Sequence, residues 1–336
     1  MPELRKDPVS GRWVIIATER AQRPQIATAR RTTKPTICPF CPGHEERTPP
    51  EILAYRPASG PAAQRNAPGW SVRVFPNKHP ALMIEGELER AGDGVYDWMQ
   101  GIGAHEVVVE TPDHGKLLHQ LPASDVERVL AAWRDRMADL RNDRRFRYVL
   151  AFKNHGLAAG ATLDHSHSQL IALPTVPKVV ADEIANAREY HALKERCLFC
   201  DIVRQEITQR VRVVHENADF LVFEPYAPRF PFETWVIPRR HRTAFESSSQ
   251  GELLSLADAL RTALGKLHRA LDDPPWNLAV HTAPLSDRDL PHYHWHIEIM
   301  PAVSQVAGFE MGSGFHINPT PPEEAARFLR ELPPIP

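Results

Sequence analysis

Asp164-His165-Ser166-His167-Ser168-Gln169 stands immediately before the apolar run Leu170-Ile171-Ala172-Leu173. As the start of a β-strand, it puts His165, His167 and Gln169 on one face, because successive strand side chains point to opposite sides. Two imidazoles and a neutral amide on one face suit a phosphoryl centre, and they also suit a metal. By itself the hexapeptide is equally a polar strand start with two incidental histidines. The rest of the chain decides.

The remaining composition excludes several classes. At 336 residues, two domains or one large one are expected. Hydrophobic residues make up 42% and charged residues 24%, as in ordinary globular proteins. A formal net charge of −2 gives no electrostatic reason for a nucleic-acid partner. No run approaches the ~20 apolar residues of a membrane span, and Met1 to Lys6 lack a signal-peptide core, so a cytoplasmic location is expected. Seventeen histidines are an excess, and they are clustered. The four cysteines form two Cys-x-x-Cys pairs, Cys38/Cys41 and Cys197/Cys200. Without a secretion signal, that spacing favours a metal or redox role over disulfides. The prolines that follow Cys41 disfavour the strand-to-helix context of a redox pair, which leaves zinc.

One plan is stated twice. Each half opens on an aromatic-containing cysteine pair and continues through strand-like runs: Val107-Val108-Val109 in the first, Phe220 to Phe223 and Thr234 to Ile237 in the second. Each then has a proline shortly before a histidine, Pro112-Asp113-His114 and Pro238-Arg239-Arg240-His241. A long amphipathic helix follows. The first has a Ser124-x-x-Glu127 capping-box pattern and sets Val126, Val129, Leu130, Trp133, Met137 and Leu140 on one face. The second runs from about Gly251, with Leu253, Leu256, Leu260, Leu264, Leu267 and Leu271 in helical spacing. A strand candidate and a histidine-rich strand close each half, the last one spanning His292 to Ile299.

These features predict an α+β fold of two tandem units, each a mainly antiparallel sheet with one long helix packed on it. The expected divisions are residues 1–175, a linker over 176–196, and residues 197–336. Structural zinc takes four sulfur or nitrogen ligands. Cys38, Cys41, His114 and His165 supply one set. Cys197, Cys200, His241 and one of His292, His294 or His296 supply the other. With His165 on the metal, His167 is left free as a nucleophile, since neutral imidazole attacks phosphorus near neutral pH.

The chain resembles the galactose-1-phosphate uridylyltransferase branch of the histidine-triad superfamily along nearly its whole length. The resemblance is carried by Glu3 to Ile16, by Cys38-Pro39-Phe40-Cys41, and by Asn154-x5-Gly160-Ala161-Thr162-x2-His165-x-His167-x-Gln169. It implies that His167 attacks the α-phosphorus of a nucleotide sugar, expelling the sugar 1-phosphate and forming a covalent nucleotidyl-histidine. Gln169 would bond a non-bridging phosphate oxygen. Asn154 and the Gly160-Ala161-Thr162 turn would hold the phosphates, with Arg20 and Asn77 at nucleotide-contacting positions.

The chain departs from many relatives at Asn77-Lys78-His79, where they read Asn-Asp-Phe. Its C-terminal loop, Gly308-Phe309-Glu310 through Gly314, replaces a Gly-Tyr-Glu pattern, with Phe309 and Glu310 at hexose-phosphate-binding positions. That loop, the His-Ser-His-Ser-Gln motif and the second cysteine pair are similar to the ADP-glucose phosphorylase subgroup, which points to His294 as fourth ligand of the second set. The resemblance implies two zinc ions per chain and a homodimer. It also implies a hexose-1-phosphate nucleotidyltransferase, with uridylyl transfer from UDP-glucose to galactose 1-phosphate as the leading form. Adenylyl transfer from ADP-glucose to phosphate is the alternative, and a histidine-triad hydrolase or nucleotide sensor is the rival from another class.

Overall fold

The computed structural model describes residues 2–22, 37–56, 64–287 and 289–333. A ten-stranded antiparallel sheet runs through both halves, each giving five strands. From one edge these are Val213–Glu216, Phe220–Phe223, Thr234–Pro238, His296–Pro301 and Trp276–His281. Tyr148–His155, His167–Leu173, Ala104–Val109, Val72–Pro76 and Leu53–Tyr55 continue it. Counted outward from the centre, the two sets follow the same order, so the repeat in the sequence becomes a pseudo-twofold. The halves are joined by strand pairing, with Asn154 opposite Asn277 and Phe152 opposite Ala279. A small sheet brings the chain ends together: Glu3–Lys6 pairs with Trp13–Ile16, and His316–Asn318 adds in parallel.

The two long helices, Ala123–Leu140 and Gln250–Ala270, pack on each other and on one face of the sheet. Val126, Val129, Leu130, Trp133 and Met137 are fully buried there, each contributing about 1.5–3 kcal/mol by leaving water. Leu253, Leu256, Leu260, Leu264 and Leu267 do the same from the second helix. Its start is a true capping box: Ser249 caps Glu252, and Glu252 accepts from the Ser249 N–H at 2.8 Å. The first helix differs from expectation. It begins at Ala123 behind Pro122, which puts Ser124 inside the first turn with no capping bond, and Glu127 accepts instead from Gln250 of the other helix.

Alternation sends the opposite set of side chains to the other face of the sheet. Phe75, Val107 and Val109 meet Phe40 and Cys38 there, while Trp235, Ile237 and Tyr148 meet Phe199 and Cys197. The connecting stretch is itself structural: Lys178–Lys194 is a helix whose Val180, Ile184 and Ala187 are buried in the second-half cluster. Both histidine-rich strands start later than their sequences suggest, at His167 and at His296. His165 and residues 292–295 therefore lie in the preceding loops, freed from strand alternation and able to turn toward the cysteines. Among the described residues no helix is long and apolar enough to cross a membrane.

Candidate active site

His167 opens its strand opposite Val109, with its ring buried except for 8%. Its Nδ1 lies 2.8 Å from the His165 carbonyl oxygen, so Nδ1 carries the proton and donates it. Nε2 then holds the lone pair, and it has no hydrogen-bond partner among the described residues. Phe40, from between the first two cysteines, packs edge-on against the ring at 5.2 Å. Burial and then the nearby Lys153 cation hold the His167 pKa below the ordinary imidazole value. The result is a fixed, neutral imidazole with one nitrogen available to an electrophile.

Gln169 lies two residues further on the same face, and its orientation can be deduced. The Ala81 N–H donates to His105 Nδ1 at 3.1 Å, which leaves the proton on His105 Nε2. That N–H donates to Gln169 Oε1 at 2.8 Å. Asn77 Oδ1 accepts from the His79 N–H at 2.9 Å, so its amide nitrogen faces Gln169 Oε1 at 3.4 Å. Both chains start at main-chain N–H groups, which only donate. Gln169 Oε1 is thereby engaged twice, and its NH₂ is left without a partner among the described residues. The sequence does not single out His105; its place on the Ala104–Val109 strand, in phase with Val107 and Val109, is the available signal.

Behind His167 sits a buried ion pair. Lys153 Nζ bonds Glu110 Oε2 at 2.8 Å, Ser166 Oγ at 3.1 Å and the His167 carbonyl oxygen at 2.8 Å. Ser166 Oγ donates to the same carboxylate at 2.6 Å. Ser168, pointing the other way, accepts from Trp133 Nε1 at 2.8 Å and ties the strand to the first helix.

The strand register brings Asn154 level with His167, since Phe152 pairs with Gln169. The chain then turns through Gly156 and Gly160, both at positive φ (+78° and +89°), where an L side chain is strained. Within this turn the N–H groups of Gly160 and Ala161 bond Leu157 and Gly156 carbonyls. The N–H groups of Leu157, Ala158 and Thr162 have no hydrogen-bond partner among the described residues. Arg20 is exposed on a 3-10 turn. Phe309 is half-exposed, and Glu310 accepts from the Ala307 N–H at the start of its own short helix. Among the described residues, no hydrogen bond joins Arg20, Phe309 or Glu310 to the His167 group.

Two Cys/His clusters flank the sheet face. Cys38, Cys41, His114 and His165 bring their ligand atoms within 4.8 Å of one another, as do Cys197, Cys200, His241 and His294. His294, and not His292 or His296, is the imidazole beside the second cysteine pair. In the first cluster the sulfur-to-nitrogen distances are 3.4–3.6 Å. A tetrahedron with bonds of about 2.3 Å to sulfur and about 2.05 Å to nitrogen has such edges of about 3.6 Å. His165 Nε2 bonds the Thr111 carbonyl at 2.8 Å and His241 Nε2 the Leu290 carbonyl at 3.2 Å, leaving each Nδ1 free for a metal. Burial and the neighbouring Cys38 sulfur push Cys41 up to about 11, so a negative charge on it calls for a nearby cation. The donor set and spacing fit zinc.

The second half repeats the geometry but changes its chemistry. Phe199 packs against His296 at 5.3 Å, in the place Phe40 takes against His167 but tilted rather than edge-on, and His296 Nδ1 faces the His294 carbonyl at 3.3 Å. Where the first half has Gln169, the second has Glu298, a carboxylate that repels phosphate. Trp235 stacks on the His296 ring at 4.5 Å, and Arg229 bonds Glu298 at 2.6 Å and Glu233 at 2.7 Å. This counterpart is lined by the protein's own ion network.

Comparison with known proteins agrees with this geometry. The profile described as galactose-1-phosphate uridyl transferase, N-terminal domain, matches residues 1–177. A second profile, for a domain of unknown function, matches residues 116–332. The ADP-glucose phosphorylase of Arabidopsis thaliana is 34% identical over 98% of this chain and 93% of that protein. The galactose-1-phosphate uridylyltransferase of Thermotoga maritima is 30% identical over 98% of each. The crystal structure of the Arabidopsis phosphorylase with bound ADP-glucose superposes with a TM-score of 0.86 at 35% identity, covering 99% of both chains. A uridylyltransferase structure gives 0.76 at 29% identity, over 98% of this chain and 97% of that one. Fold and site together define a nucleotidyltransferase acting on hexose 1-phosphates. The chain belongs to the galactose-1-phosphate uridylyltransferase family.

Proposed function

We propose that this enzyme moves a nucleoside monophosphate from a nucleotide sugar to a phosphate-bearing acceptor through a covalent intermediate on His167. The observation that carries this is the His167 ring itself: Nδ1–H is held by the His165 carbonyl, and Nε2 stands free beside an amide whose NH₂ faces outward. The Nε2 lone pair forms the N–P bond to the α-phosphorus as the P–O bond to the sugar 1-phosphate breaks. The ring becomes cationic, and its Nδ1–H stays on the carbonyl that stabilises it. Gln169 and Asn154 donate to the non-bridging oxygens as charge gathers there. An acceptor phosphate oxygen then attacks, the N–P bond breaks, and neutral imidazole returns. Two transfers at one histidine let donor and acceptor use the same pocket in turn.

ADP-glucose as donor, with inorganic phosphate as acceptor, is supported by the 34% identity to the Arabidopsis phosphorylase and by the second cysteine pair. UDP-glucose with galactose 1-phosphate is the second reading, supported by the family profile over residues 1–177 and by the Thermotoga relative. Incubation with each sugar nucleotide, labelled at the α-phosphorus, tests both. Acid-labile label on His167 from one donor identifies it; no protein-bound label from either overturns the mechanism.

Zinc in both Cys/His clusters belongs to the same proposal. Each cluster supplies four protein ligands, which leaves no position for substrate, so the metal holds the fold and the loops carrying His165 and His294. The four free cysteines suit the reducing cytoplasm. A homodimer is proposed from the resemblance to the family and from the apolar C-terminal segment, where Met311 is 80% exposed.

A further inference from the structure

We infer that Asn277, on the first strand of the second half's central pair, is a positioning residue for the donor-phosphate site of the first half. The inference rests on the nucleotidyl-transfer reading and on Asn154 as a phosphate donor. Asn277 Nδ2 lies 2.8 Å from the Ala159 carbonyl oxygen and 2.8 Å from Asn154 Oδ1. A main-chain carbonyl only accepts, so the Asn277 atom between these two groups is its NH₂, with one hydrogen for each. The atom Asn154 offers in return is then its oxygen, which turns the Asn154 NH₂ away from Asn277 and over the turn, where a side chain on Gly160 would begin 3.6 Å from Asn154 Nδ2.

Neighbouring residues reinforce the clamp. Asp273 Oδ1 holds His155 Nε2 at 2.8 Å, directly after Asn154. Pro275 closes on Gly156, where an added Cβ would come to 2.9 Å. Asn277 then grips both ends of the turn, Asn154 before it and Ala159 within it. All of these contacts come from Asp273, Pro275 and Asn277 of the second half, at or just before the strand pair that joins the halves. Asn154 is held side by side with His167 by register, but the direction of its amide depends on Asn277. The second half thus contributes to chemistry in the first without touching substrate.

The test measures the rate of nucleotidyl-protein formation from labelled sugar nucleotide, alongside zinc content and Tm, in N154A, N277A, N277D and N154A/N277A. Loss of a donor aimed at the phosphate should slow adduct formation by about 10²-fold in N154A. In N277A the Asn154 amide is free to turn, and the rate should fall about tenfold, with zinc and Tm close to wild type. N277D should be slower than N277A, because its carboxylate favours the flipped Asn154 amide and presents an oxygen to the phosphate. The double variant should be no slower than N154A. Equal loss from N277A with and without Asn154 would overturn the inference, since the effect would then pass through the turn as a whole. An N277A rate equal to wild type, with N154A impaired, would overturn it as well and leave the functional reading standing. Wild-type protein that forms no adduct with either donor would remove the reading and the inference together.

Discussion

Lys153 Nζ lies 2.8 Å from the main-chain carbonyl oxygen of His167. A buried ammonium thus holds the backbone of the residue proposed to attack phosphorus, and its counter-charge, Glu110, is held in turn by Ser166. The serine between the two histidines of the motif is therefore part of the support for the second. Three side chains from three segments, at positions 110, 153 and 166, converge on one peptide.

Breaking that pair from one side should be costly. Lys153→Met leaves Glu110, 1% exposed, charged and unpaired, and should lower stability by about 3–5 kcal/mol in denaturant unfolding. Lys153→Met combined with Glu110→Gln should recover at least half of the loss, because the buried charge is gone. Its adduct rate should stay depressed, since nothing then grips the His167 carbonyl. A double variant as unstable as the single one would mean that packing, not charge, holds this region.

His105 should matter for rate and not for metal. His105→Phe removes the N–H that engages Gln169 Oε1, and the Gln169 amide is then free to turn its oxygen toward phosphate. Adduct formation should slow about 10-fold to 100-fold at unchanged zinc content. His105→Asn, which keeps a donor at this position, should lose less. Equal rates for both variants and wild type would show that Gln169 needs no such guide.

His167 and His165 should separate cleanly. His167→Gly should abolish adduct formation while keeping zinc and Tm, and added imidazole should restore some transfer in the vacated space. His165→Asn should lower zinc occupancy in the first cluster and Tm, with activity falling in consequence. If His167→Gly loses the metal and His165→Asn keeps it, the two roles are reversed.

The ion network of the second half predicts a pH dependence of stability. Burial works against a charged His281, but Glu183 at 2.8 Å and Glu298 outweigh it and hold its pKa up at about 9. A folded-state pKa above the unfolded value contributes stability that is fully present below pH 6.5 and lost as pH rises through about 9. The contribution is about 3 kcal/mol at most. Unfolding free energy measured from pH 6.5 to 9.5 should therefore fall, and the fall should shrink in His281→Gln. An identical slope in that variant would rule out His281 as its source.

Much of this was legible in the chain. The leucine stripe of Gln250–Ala270 and the apolar face of Ala123–Leu140 are local periodicities, and both helices formed where those stripes run. The Ser124-x-x-Glu127 pattern makes no capping box, because the first helix begins at Ala123 behind Pro122, one residue before Ser124. The cysteine pairs and their histidines could be matched because ligand chemistry allows few residue types, and the second copy of the plan checked the first. The choice among His292, His294 and His296 stayed open, since sequence spacing does not say where a loop ends and a strand begins. The strand starts at His296, and that leaves His294 in the loop facing Cys200.

By itself the sequence determined the element order, the duplication, which cysteines and histidines could share a cluster, and the free second histidine of the motif. These follow from hydrophobic period and residue chemistry, which act over a few neighbouring positions. Only the tertiary structure decided that Lys153 lies behind His167, that His105 turns Gln169, and that Asn277 turns Asn154 across the junction of the halves. A hydrogen bond has a direction, and which donor meets which acceptor is set by sheet register between segments 14 to 123 residues apart. No local pattern carries that information, because the partners become neighbours only when the sheet closes.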